Sequence, residues 1–124
     1  MTSNERAAIL EERLIDFAVQ IVALSNAIPN SVSGRHFSGQ IVRSGSAPAL
    51  LYDEARGAES NKDFKHKMSI ALKELRETYV NQRIIVKANL INPVEFDIRT
   101  TLDENNQLIS IFNAAVKSLR ESQR

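Results

Sequence analysis

Residues Asn61 to Leu90 read NKDFKHKMSIALKELRETYVNQRIIVKANL. Within this stretch Phe64, Met68, Ala71, Leu75, Thr78, Gln82 and Ile85 recur at alternating steps of four and three. A chain keeps that series on one side only if it is helical, because the spacing averages 3.5 residues against a helical turn of 3.6. Leu72, Tyr79 and Val86 flank the seam and widen it. Ser60 to Asp63 forms a capping box with Asp in the usual Glu place, and Asn92 with Pro93 marks the end. At ~1.5 Å per residue the expected helix is about 45 Å long. It is the longest of four.

The first helix is expected from about Asn4 to Ala27, with the seam Leu10, Leu14, Phe17, Ile21, Leu24 and Ile28, and Pro29 and Asn30 stop it. Ile15, Val19 and Val22 broaden its apolar stripe, which suggests burial on two sides. Ser31 or Ser33 caps the second helix, whose seam runs Phe37, Ile41, Ser44, Pro48, Leu51 and Ala55. Pro48 inside that pattern predicts a kink between Ser44 and Pro48, or a break into two helices, while Ser44, Gly45, Ser46, Ala47 and Ala49 are small enough to admit a close neighbour. Thr101 to Glu104 is a second capping box, leading into Leu108, Ile111, Phe112, Ala115, Val116 and Leu119. Val94 to Thr100 reads as a loop or an early turn of the fourth helix. Four amphipathic helices with short connections predict an all-α, antiparallel up-down bundle formed as one domain over residues 1–124.

Composition narrows the function classes. The chain has 124 residues, 43% hydrophobic and 25% charged, with 16 Lys plus Arg, 15 Asp plus Glu and a net charge of +1. That suits a folded domain and argues against bulk attraction to polyanions. Without cysteine there is no disulfide, thiol nucleophile or thiolate metal site. The start lacks the basic and apolar runs of a signal peptide, and the longest near-apolar run, Phe17 to Leu24, falls far short of the roughly 18 residues needed to span a bilayer. A cytoplasmic protein is expected.

Catalytic patterns fail one by one. Gly34 and Gly39 have phosphate-loop spacing, but Gln40 and Ile41 stand where Lys and Ser or Thr are required. His36 and His66 have no partner at metal-ligand spacing. Adjacent Asp53 and Glu54 point about 100° apart on a helix, which is wrong for sharing a proton. No enzyme and no cofactor is expected. One charge pattern does stand out: at about 100° per residue, Lys62, Lys65, Lys73, Arg76, Arg83 and Lys87 share a sector of roughly 80° on the third helix. Residues 59–90 hold seven basic and four acidic side chains, a local +3. Such a stripe is either a solvated face laced by pairs such as Asp63 with Lys67 and Lys73 with Glu77, or a ridge that contacts phosphates.

Three runs carry a family resemblance: Arg43 to Ala55 (RSGSAPALLYDEA), Ala58 to Phe64 (AESNKDF) and Lys67 to Thr78 (KMSIALKELRET). They resemble the bacterial four-helix-bundle family of 23S ribosomal RNA intervening-sequence proteins, which includes the accessory variability determinant of diversity-generating retroelements. The positions that carry it best are Arg43, Ser44, Glu54, Ser60, Asp63, Phe64, Glu74 and Glu77. Leu51 departs from the pattern, since relatives commonly carry Asn there, and Asp53 stands where a small residue is usual. The resemblance implies a homopentameric ring with a basic surface and, by analogy with the retroelement relative, RNA and a reverse transcriptase as partners. The intervening-sequence proteins are named for their location inside ribosomal RNA genes and have no defined role. Glu54, Glu74 and Glu77 are expected to pair with Arg43, Arg76 or Lys73 within or between subunits. Two functions follow: a homo-oligomeric accessory protein that binds RNA or DNA through the third-helix stripe, or a structural or protein-interaction scaffold without nucleic-acid binding.

Overall fold

In the computed structural model, which describes residues 1–122, the chain forms α1 (Ser3–Ala27), α2 (Val32–Arg56), α3 (Asn61–Lys87) and α4 (Ile98–Ser122). No strand occurs among the described residues. The last two residues of the expected domain lie outside them. Each helix packs on its neighbours in chain order, and α4 returns to α1. Cross-helix pairs descend on one helix as they ascend on the next. Glu11 meets Arg56 and Ser25 meets Ser38 across α1 and α2; Arg43 meets Glu74 and Glu54 meets Lys67 across α2 and α3. Gln82 meets Thr101 and Arg76 meets Asn113 across α3 and α4, so successive helices are antiparallel.

Local chemistry sets the ends. Side chains of Thr2, Ser31 and Ser60 accept from the backbone N–H groups of Glu5, Gly34 and Asp63, capping α1, α2 and α3. α3 stops at Lys87, three residues before the expected Leu90, because Asn89 takes a left-handed conformation at φ 55°. The Asn89 N–H then bonds Val86 O at 3.1 Å and the Leu90 N–H bonds Ile85 O at 3.0 Å, which satisfies carbonyls the helix leaves open. α2 runs unbroken through Pro48, so the alternative of two helices is overturned. Its small residues serve packing: a Cβ at Gly45 would meet Ile21 Cγ2 at 2.7 Å and Ile21 Cγ1 at 2.9 Å. α1 is thus seated closer to α2 than any residue larger than glycine allows there.

α4 corrects the second capping box. The helix begins at Ile98, where Asp97 Oδ1 accepts the Arg99 N–H at 3.1 Å. Thr101 lies inside the helix and is buried, and Glu104 turns away from the backbone to receive Arg13 of α1 in a two-pronged contact at 2.9 and 2.7 Å. The sequence motif for a helix start is here two tertiary contacts. Phe96 and Ile98 pack toward the core, so the tail of the expected loop is partly structured.

The core joins Leu14, Phe17, Ile21 and Leu24 to Ile41, Tyr52, Leu75, Ile85, Leu108, Phe112 and Val116. Tyr52 meets Phe112 edge-on at 5.9 Å, and burial raises its phenol pKa above the ordinary value. Ile15, Val19 and Val22 remain exposed, so the second side of α1 is not covered within one chain.

A polar thread crosses this core. Asn105 Nδ2 donates to Leu75 O at 3.0 Å, Gln82 Nε2 donates to Asn105 Oδ1 at 2.8 Å, and the Thr101 hydroxyl shares its one proton between Gln82 Oε1 at 2.7 Å and Ile98 O at 2.9 Å. The Leu75 carbonyl can only accept, so it fixes the orientation of the Asn105 amide and, through it, that of Gln82. Nearby, Thr78 Oγ1 lies 2.8 Å from Glu74 O and 2.9 Å from Ser44 Oγ. With one hydroxyl proton, Thr78 donates to the carbonyl and accepts from Ser44. Replacing Asn105 with Ala strands the buried Gln82 amide nitrogen, and we expect Asn105→Ala to cost about 1–3 kcal/mol in urea unfolding. The same change at exposed Asn106 should leave the midpoint within about 0.5 kcal/mol of the parent.

Candidate nucleic-acid interface

The thread and the Ser44–Thr78 contact together set the rotation of α3, and so decide which residues it turns outward. Lys62, Lys73, Arg76, Arg83 and Lys87 are exposed, and Lys65 is half-buried. All six sequence candidates therefore lie on the solvent side of α3.

The acidic residues beside them are engaged elsewhere. Arg43 of α2 reaches Glu74 at 3.1 Å with one guanidinium nitrogen and Glu77 at 3.0 Å with the other. The hydrogen bond to Glu77 and the charge of Glu74 hold its guanidinium pKa above the ordinary value. Glu54 receives Lys67 at 3.5 Å. The expected laced face is not what forms: Lys67 turns to Glu54 instead of Asp63, and Glu77 to Arg43 instead of Lys73. Among the described residues, Lys62, Lys73, Arg83 and Lys87 are left without an ion pair. Arg76 makes a long contact of 3.5 Å to Asn113 Oδ1.

The remaining motif positions are structural. Ser44 is buried against Thr78, Ser60 caps α3, Asp63 supplies the capped N–H, and Phe64 packs on the core. Leu51 packs against that core too, so apolar contact occupies the place where relatives commonly carry Asn. Gly34 and Gly39 belong to the early turns of α2: a Cβ at Gly34 would lie 2.3 Å from Pro29 O, so this glycine serves a tight entry into the helix, whereas a Cβ at Gly39 would meet open space. Among the described residues, no three metal-ligating side chains gather.

One part of the site is not marked by the local sequence pattern. A groove of about 550 Å³ lies over α3, with Leu72, Val80 and Val116 along it and Lys73, Arg76 and Arg120 around it. Arg120 enters from the last turn of α4 and Gln40 from α2. Arg120 follows Val116 by four residues and so shares its helix face, a signal present in the sequence but hidden while the residue is taken as polar tail.

Fold and surface define a small all-α, four-helix protein with a row of exposed cations on one helix face, four of which make no ion pair among the described residues. The chain belongs to the 23S rRNA-intervening sequence protein family, whose family model matches residues 8–114. It is also similar to a Bacteroides thetaiotaomicron protein of unknown function from the S23 ribosomal protein family, known from a crystal structure at 1.70 Å. The two are 26% identical, with a TM-score of 0.79, over 90% of this chain and 97% of that one. No curated protein matches the chain significantly. Among the described residues no helix is long and apolar enough to cross a membrane.

Proposed function

We propose that this chain is a non-enzymatic, homo-oligomeric accessory protein of the cytoplasm that binds RNA or DNA through the outward face of α3. The observation that carries this reading is that Lys62, Lys73, Arg83 and Lys87 make no ion pair among the described residues, while Glu74 and Glu77 both turn to Arg43, so these four cations are available to phosphates. Net charge is a poor guide to such a site, because phosphate contacts act locally and charges beyond about 8 Å are screened at physiological salt. The family's name, taken from ribosomal RNA genes, is compatible with a nucleic-acid partner, and a polymerase-type protein is the second partner the resemblance suggests.

Self-association draws on a different surface. Ile15, Val19, Val22 and Leu50 are exposed, with Val19 at 62% and Leu50 at 67%, and they border a shallow groove of about 300 Å³ between α1 and α2. A clustered apolar face of this kind marks a contact site. We assign it to the interface between copies, in the homopentameric ring that the resemblance implies. The second reading, a protein-interaction scaffold, is favoured by Val80 and Ile84, which lie exposed among the cations of α3.

Two measurements test the proposal. In filter binding to RNA, affinity should fall steeply with added salt, and the triple change Arg76→Glu, Arg83→Glu, Lys87→Glu should lower it by at least about tenfold. Insensitivity to both salt and charge reversal would leave the scaffold reading. In light scattering, Val19→Asp with Leu50→Asp should reduce the assembly to monomer without loss of helix; a parent that is already monomeric contradicts the ring.

A further inference from the structure

The groove over α3 has a composition that a plain phosphate ridge does not need. Three cations stand around it, Lys73 and Arg76 from α3 and Arg120 from α4. Its apolar surface is chiefly Val80, 51% exposed, with Leu72 and Val116 buried beneath it. The Glu77 carboxylate at its edge is already held by Arg43. Gln40 and Asn81 add amides that can both donate and accept.

Resting on the nucleic-acid reading above, we infer that this groove seats an unstacked base of a single-stranded RNA or DNA segment. The flat apolar face of the base lies on Val80, above buried Leu72 and Val116, and its flanking phosphates lie at Lys73, Arg76 and Arg120. A duplex offers the cations its phosphates but keeps its bases stacked inside, so the apolar surface would face water. A single strand satisfies both parts of the groove, since every base has an apolar face to lay down and a phosphate on either side. At about 550 Å³ the groove is within the range of sites that take a small-molecule-sized group. Charge complementarity argues against an apolar helix of another protein as the occupant.

The test compares a short fluorescein-labelled RNA strand with the same strand fully paired, by fluorescence anisotropy on the full chain at one salt concentration. We expect the strand to bind at least about fivefold more tightly than the duplex. Val80→Ser should remove most of that preference. Arg120→Glu should weaken the strand more than the duplex. Lys62→Glu, outside the groove, should weaken both forms alike. Both Val80 and Arg120 are exposed, so circular dichroism should show intact helix in each variant. Equal affinity for strand and duplex, with Val80→Ser silent and Lys62→Glu effective, overturns the groove inference and spares the α3 reading. Binding of neither form overturns both.

Discussion

The rotation of α3 about its own axis depends on a buried amide contact, Gln82 to Asn105, anchored by the Leu75 carbonyl and closed by Thr101. Apolar packing alone tolerates a helix that slides or turns by part of a step, because one aliphatic contact is easily exchanged for another. A buried amide has no such latitude, since a displaced donor or acceptor goes unmatched in a medium without water. Gln82 and Thr78 on the inner side thereby determine what lies on the outer side. Lys62, Lys73, Arg76, Arg83 and Lys87 face solvent as a consequence of polar groups that never meet it.

Arg43 adds the second constraint, and its effect is on charge more than on stability. It is an exposed residue, and ion pairs at the surface contribute little to folding. By engaging both Glu74 and Glu77 it removes the two carboxylates best placed to neutralise α3 from their own helix. The chain's +1 therefore describes a surface on which opposite charges are sorted. Carboxylates elsewhere are taken up by pairs between helices, Arg13 with Glu104 and Arg56 with Glu11 among them, while the outer face of α3 keeps its cations.

Helix number and core were legible in the sequence because the steps of four and three persist through α1 and α3 and admit one reading. Thr78, Gln82 and Ser44 stood in the seam as polar exceptions, and the structure shows why: each meets a hydrogen-bonding partner across a helix interface. Asn105 and Thr101 were not legible as their partners, since pairing across helices depends on register, which local pattern does not encode. Thr101 and Glu104 met the local rule for a helix start, and tertiary contacts with Gln82 and Arg13 prevailed over it. Within the candidate site, the angular stripe followed from residue spacing alone. The loss of its expected i, i+4 pairs to Arg43 and Glu54, and the entry of Arg120 and Gln40, required the arrangement of α2 and α4 around α3.

Photo-crosslinking the intact protein to RNA and locating the adducts by mass spectrometry tests most directly whether the outer face of α3 is the nucleic-acid surface. Adducts should concentrate on peptides covering residues 62–87 and the end of α4, and be sparse on α1. Adducts confined to the α1 and α2 apolar face, or no adduct at any RNA concentration that the protein tolerates, would contradict the account.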